Sequence, residues 1–585
     1  MGTAGRTLSG HSDLQSARAE DAIDVPGAVN QGTMVPRALT ALTVVGFAIP
    51  VVAYFWFVHR YGVNAIWLDQ WDDINVIGHP TFGNLWALHN ENRIFFPNLI
   101  VLVLASTIHF NIHTEEYVSG VMLVAAVGLI ILAHKRRSPS TPWLYYCPVA
   151  FIMLSLVQFQ NSLWGFQMAW YLVLLALAGT LFLLDRATLT TTLLVGAIVL
   201  AVIGSFSSLQ GLLIWPAGLV LIYHRRRRRG QTAVWIAAAL AAGAVYFYHA
   251  SYISLGPTRT YFYAHPIKAL EFFFAAIGDI VGEGLRADGH NQGIIAFGVV
   301  IVAVGLWTTI TYGIRRSEGG SPLGVALICF GLLFAAVTTA GRASQGISGA
   351  GASRYTTFDL LILVGCYLAI LDRRTDRAGA RAATWGAWMT VTIAILLVLV
   401  LGTRNGLANA AVWHQTFAEA ADVTVNIDEV PDSVVGAALY PAAGESVAFI
   451  RHAAQIAKTR HLSVFAPGAA IRDAEYQPLI ESLPVSVVLR PSYGAKLRRD
   501  ELLAATAQET FGPFEIGVAK VDFQLTGGDL RHVIIGNARF TLYGWIDLWN
   551  TTTVANGSYV LQSVASNSEG KTTESVGVAV VVDNH

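Results

Sequence analysis

Three aspartates stand within five residues of one another in the stretch WLDQWDD, at Asp69, Asp72 and Asp73. On a helix, spacings of three and four place such carboxyl groups on one face. Like charges that close repel, so one of them must hold a proton or find a cation. A carboxylate of that kind beside a low-dielectric boundary is suited to general-base work. The same three residues also read as a solvated acidic turn, with Trp67, Trp71 and Trp86 as aromatics at headgroup level. Downstream lies His89-Asn-Glu-Asn-Arg93, so His89, Glu91 and Arg93 join Asp73 as candidate substrate-binding residues.

A second group of polar residues lies far along the chain. Gln158–Gln167 contributes Gln160 and Trp164, Ser205–Gln210 is rich in serine, Gly256–Tyr263 contains Arg259, and Gly341–Tyr355 contains Arg342, Arg354 and Tyr355. Guanidinium matches phosphate oxygens with paired hydrogen bonds, so Arg259, Arg342 and Arg354 are candidate phosphate ligands, with ordinary snorkelling toward headgroups as the alternative.

The elements that position these residues are apolar. The chain has 585 residues, 54% hydrophobic and only 13% charged, against about 25% charged in soluble domains. Apolar runs of about 17–22 residues, long enough to cross a bilayer, recur near 38–58, 117–134, 143–159, 166–184, 189–205, 209–224, 232–250, 292–313, 322–340, 355–371 and 384–402. Basic clusters at Lys135–Arg137, Arg186, Arg225–Arg229, Arg315-Arg316 and Arg373–Arg381 follow every second run. Basic short loops stay in the cytoplasm, so the N-terminus lies inside and the C-terminal region outside. The polar segments then share the outer face, as around an outward-facing cavity. Residues 94–110 and 268–285 read as amphipathic helices in the outer interface, or as a crossing pair.

This organisation gives a polytopic α-helical membrane protein of about eleven spans. Residues 1–36 form a disordered cytoplasmic tail, and 37–402 form the membrane domain with a first outer loop at 59–116. Residues 403–486 form a small extracytoplasmic α/β linker region, with helices near Trp413–Ala421 and Gly444–Lys458 and a strand at His461–Phe465. Residues 487–585 alternate like six or seven short strands of an antiparallel β-sandwich. Trp545 and Trp549 are core candidates there, with Tyr543 and Trp545 as a sugar-stacking platform in the alternative. Net charge is zero, which argues against nucleic acid as a partner. Cys147, Cys329 and Cys366 all fall in apolar runs and give no disulfide or metal pattern. No cofactor is called for, and a divalent metal stays open.

A first span followed at once by an acidic outer loop, about a dozen later spans and a soluble domain resembles the GT-C superfamily of membrane glycosyltransferases. The resemblance covers about residues 38–402 and is architectural. It lacks the His-Pro-Pro motif of the mannosyltransferases and the Trp-Trp-Asp motif of the oligosaccharyltransferases. It implies a polyprenyl-phosphate-sugar donor, a glycan or lipid acceptor in the cell envelope, and a place in the plasma membrane. Asp69, with Asp72 second, would be the catalytic base. His89–Arg93 would occupy the element leading into the juxtamembrane helix. Ser353-Arg-Tyr355 resembles an element of uncharacterised members and would suit the lipid-linked phosphate. Residues 539–567 resemble bacterial Ig-like repeats. A non-catalytic scaffold displaying that domain and a transporter of lipid-linked sugar are the competing readings; no internal repeat favours transport.

Overall fold

The computed structural model describes residues 37–224, 229–249, 261–285, 291–314, 322–371, 381–428, 430, 432–440, 447–469, 484–508, 518–541, 544–567 and 570–584. Among them, nine helices are long and apolar enough to cross a membrane: Ala38–Tyr61, Ile112–Arg137, Trp143–Leu163, Gly165–Leu184, Arg229–Phe247, Gln292–Thr311, Pro322–Gln345, Ser353–Leu371 and Trp385–Val425. The other two expected runs form the shorter helices Thr191–Ser205 and Leu209–His224. At 15 residues and 1.5 Å per residue, Thr191–Ser205 falls short of a bilayer core of about 30 Å. Residues 95–108 and 266–278 also form short helices, of 14 and 13 residues. The proposed tail, 1–36, lies outside the described residues.

The helices differ in what they cover. Every residue of Thr356–Leu371 is buried, so this helix runs through the middle of the bundle. It packs against Pro322–Arg342 with the backbones nearly touching: a Cβ on Gly324 would lie 2.5 Å from the Gly365 carbonyl oxygen. Close approach of this kind is what small residues permit between apolar helices. Ala38–Tyr61, by contrast, leaves Leu42, Val44, Val45, Ile49, Val52 and Trp56 exposed. An apolar surface that large on a monomer needs lipid or protein to cover it.

Past the last long helix the chain stays helical, as Asp432–Leu439 and Val447–Thr459. The strand expected at His461–Phe465 is instead a single 3-10 turn, Ser463–Phe465. Its burial comes from Ser463 donating its N–H to the His109 carbonyl, not from a ladder. Between 403 and 469 the described residues of the linker region are helical, with no strand among them. The region lies on the first outer loop, as Trp67 Nε1 donates to Ala438 O and Leu68 N to Leu439 O.

The β region starts at Val485, two residues before the expected boundary. One sheet runs in the order Val485–Arg490, Asp500–Gln508, Gly544–Asn550, Arg539–Thr541. The other runs Ala495–Leu497, Val578–Val582, Gly557–Asn567, Val518–Gly527, Leu530–Asn537, with Thr572–Glu574 paired to Gly557–Asn567. Alternate residues Tyr559, Leu561, Ser563 and Ala565 face inward, as the two-residue period of a strand requires. The run 531–548, read as one segment, is three strands: the chain leaves one sheet after Asn537 and enters the other at Arg539. Trp545 and Trp549 are buried in the core between the sheets, and Tyr543 lies outside the described residues. At the start of Gly557–Asn567 the Tyr559 hydroxyl donates to Ala555 O at 2.7 Å and pins the preceding turn. Tyr559→Phe keeps the ring packed and removes only that bond. It is expected to cost about 1 kcal/mol, read as faster amide hydrogen exchange confined to 555–567.

The β region rests on the helices through a Lys268–Glu501 ion pair at 2.9 Å. Leu548 packs against the cluster of Tyr261, Phe272 and Ala343.

Candidate functional site

Helix Ala38–Tyr61 delivers the chain to a tight turn in which Leu68 has φ +47°. A leucine there is strained, and its N–H bond to Leu439 O helps to hold it. The strained turn aims the next residue. Asp69 sits at the N-cap of Gln70–Gly78, yet its side chain makes no capping bond.

The Asp69 carboxyl faces His89 instead. Leu88–His89 pairs with Asn92–Arg93 in a minimal hairpin, its turn at Asn90 with φ +51°, which asparagine tolerates. His89 thereby enters between two carboxyl groups, with Nε2 3.4 Å from Asp69 Oδ1 and Nδ1 3.2 Å from Asp72 Oδ2. The first contact is an ion pair with poor hydrogen-bond alignment; Nε2 has no well-directed acceptor. The ring packs on Phe166 at 4.9 Å, and Tyr440 donates to Asp69 Oδ1 at 3.4 Å. Burial alone would lower the imidazole's pKa; bonding and attraction to Asp69 and Asp72 outweigh it and push it up to about 10. His89 is therefore a cation at neutral pH.

Asp73 turns the other way and is buried. Burial raises its pKa well above the carboxylate range, and the charges of Glu115, Asp72 and Asp69 add to this against the opposing pull of His89. Glu115 is fully buried behind it, with Oε2 accepting from Gln70 Nε2 at 3.2 Å. Gly165 makes room for that pair, since a Cβ there would lie 2.2 Å from Glu115 Oε2. Glu115, Gln70 and Tyr440 escaped the sequence reading. Glu115 sits in the first turn of the helix Ile112–Arg137, at the edge of an apolar run, where the available signal was the acidic pair Glu115-Glu116 beside that run.

The hairpin also carries the links to distant segments. Glu91 forms an ion pair with Arg342, 251 residues away. Asn92 Oδ1 accepts from Ser208 Oγ at 2.9 Å and from Leu209 N at 3.0 Å, bringing in the serine-rich 205–210 stretch. Arg93 is buried, with its guanidinium donating to Tyr246 O, Trp86 O and Tyr248 O.

The remaining candidates fall into two sets. Gln160 accepts from Arg354 N and donates its own N–H to Ser353 Oγ, while Asn161 Nδ2 donates to Arg354 O. That pins the Arg354 main chain beside Gln160 and leaves the guanidinium over the Tyr355 ring at 5.3 Å. Tyr355 itself is buried and stacks on Trp170. Trp164 is buried in an aromatic cluster with Trp67, Trp413 and Phe166. These two are packing residues in this structure. Arg259 lies outside the described residues. The fold thus unites Asp69, Asp72, His89, Glu91 and Arg342 through one hairpin, and keeps Gln160, Arg354 and Tyr355 as a separate group. Among the described residues, no group of three or more His, Cys, Asp or Glu is placed to hold a metal ion.

No protein-family model matches the chain. No curated protein matches it either. Among solved structures it is similar to the fibronectin(III)-like modules of Clostridium thermocellum CbhA, at 25% identity over 17% of this chain and 94% of that one, TM-score 0.13. It is also similar to the endo-beta-1,4-mannanase from Thermotoga petrophila, at 17% identity over 24% of this chain and 25% of that one, TM-score 0.14. Scores this low carry no argument about fold or activity.

Proposed function

We infer that the chain is a multi-pass plasma-membrane glycosyltransferase of the GT-C type, with its N-terminus cytoplasmic and its β region outside the cell. The observation that carries this reading is the convergence on one hairpin: two carboxyl groups meet at His89, and two residues further on Glu91 meets an arginine at the end of a distant helix. An acid–base centre beside a phosphate-matching cation is what sugar transfer from a polyprenyl phosphate needs.

In the proposed step Asp69 accepts the proton of an acceptor hydroxyl as its oxygen attacks the anomeric carbon. The bond from that carbon to the phosphate oxygen breaks, and its electron pair leaves with the polyprenyl phosphate. Arg342 stabilises the departing charge, the contribution that usually dominates. His89 holds Asp69 and Asp72 in place. The β region is proposed as an Ig-type domain that grips the acceptor or the cell wall. Its strand order and the tyrosine bond back across the turn before Gly557–Asn567 support that assignment.

Purified protein in proteoliposomes, offered a panel of polyprenyl-phosphate-linked radiolabelled sugars, is expected to release free polyprenyl phosphate from one of them as label passes to an envelope acceptor. Label crossing the bilayer still attached to its lipid would instead establish transport. Neither release nor transport across the panel would leave the scaffold reading standing.

A further inference from the structure

Residues alternate across a strand, so the hairpin has a second face. His89 points to the aspartates; Leu88, Asn90 and Arg93 line an open cleft of about 520 Å³, together with Trp86, Tyr248 and Gly83. Arg93 is the unusual member, at only 3% exposure. Its guanidinium bonds three backbone carbonyls, those of Tyr246 and Tyr248 at 2.7 Å and of Trp86 at 2.8 Å, and lies 4.9 Å from the Trp86 ring centre. None of these partners carries a negative charge. The nearby carboxylate, Glu91, is engaged by Arg342.

A buried charge without a counter-ion is costly, and a guanidinium has five N–H bonds. The three carbonyls use three and fix the plane of the group, which leaves two N–H bonds for an acceptor entering from the cleft. A doubly bonded planar contact of that kind suits phosphate oxygens. We propose that this cleft binds the phosphate of an anionic lipid headgroup, at a site separate from the aspartates and independent of the transferase reading. Lipid is favoured over free phosphate by what surrounds the cleft. The apolar helix Arg229–Phe247 ends at it, and Phe82, Phe247 and Tyr248 stand exposed around it. Aromatics at the end of a long apolar helix mark the headgroup level.

Replacing Arg93 would break the three carbonyl bonds as well, so the test uses Gly83, where an added side chain meets open space and its nearest neighbour is Thr81 Oγ1 at 3.8 Å. Gly83→Glu supplies a competing carboxylate, and Gly83→Gln matches its size without charge. Thermal unfolding of the full-length protein in neutral detergent would be followed with dioleoylphosphatidylglycerol, with dioleoylglycerol and with inorganic phosphate. Phosphatidylglycerol is expected to raise the Tm of the wild type and Gly83→Gln by roughly 5 °C and that of Gly83→Glu by under about 1 °C. The uncharged lipid is expected to leave all three unchanged. Equal shifts in Glu and Gln variants, or no shift in the wild type, would overturn the site. Inorganic phosphate alone matching the lipid would overturn the choice of occupant.

Discussion

Asp69→Asn is expected to lower the turnover of sugar transfer by about 100- to 10,000-fold, the range for loss of a general base, with little change in KM for the donor. Asp72→Asn is expected to have the smaller effect, because Asp69 then still holds one edge of the His89 ring. The amide keeps the volume of the carboxyl group, so a fall in turnover without loss of folded protein separates chemistry from packing. Donor turnover unchanged in both variants would remove the aspartates from the mechanism.

The same variants carry a pH signature. The folded pKa of His89 is about 10, against an ordinary value of 6.5. Its charge therefore stabilises the fold fully below about pH 6.5, and that stabilisation is lost as pH rises through about 10. Asp73, raised well above 3.8 by burial, acts in the same direction, since the folded state again holds the proton more tightly. Wild-type stability should therefore decline across pH 6.5–10. In the double variant Asp69→Asn with Asp72→Asn, His89 loses both carboxylates and most of that decline should vanish. Tm measured at intervals of pH reads the difference; parallel curves would mean that the imidazole is not charged between the aspartates.

How much of this was legible in the sequence depends on the kind of signal. The long helices were, because apolar length is a property of consecutive residues. So were most strands of the β region, where alternation shows in runs such as Gly557–Asn567. Ala495–Leu497 was not, since three residues carry no period, and it is held by parallel pairing with Val578–Val582 from the far end of the domain. His461–Phe465 has strand-forming residues but lacks a pairing partner, and docking on His109 turned it into a 3-10 turn. In the site, the acidic stretch was visible and its division was not. Helical spacing put Asp69, Asp72 and Asp73 on one face, but the chain enters the helix only at Gln70, so Asp73 points inward. Glu91 and Arg342 could each be singled out from sequence; that they form one pair could not, because 251 residues separate them.

Trp67→Ala should be the most damaging single change outside the aspartates, and it bears on why the post-membrane helices exist at all. The indole is 1% exposed, with rings of Trp164, Phe417 and Trp413 within 5.1–5.7 Å of it. It therefore joins three parts of the chain: the first outer loop, the 158–167 segment and the helix Thr403–Val425. Truncating a fully buried tryptophan costs about 3–5 kcal/mol, enough to loosen the turn at Leu68 that aims Asp69. Folded protein should drop, and the fraction that remains should bind donor but turn over slowly. Trp67→Phe keeps an aromatic ring in the cluster and loses the N–H bond to Ala438, 3.1 Å long; it should cost clearly less than the alanine change and leave turnover within a few-fold. If Phe proved as harmful to turnover as Ala, the tie to Ala438 would outweigh the aromatic packing. If Ala lowered stability yet left turnover intact, the helices beyond residue 403 would support the fold without positioning the aspartates.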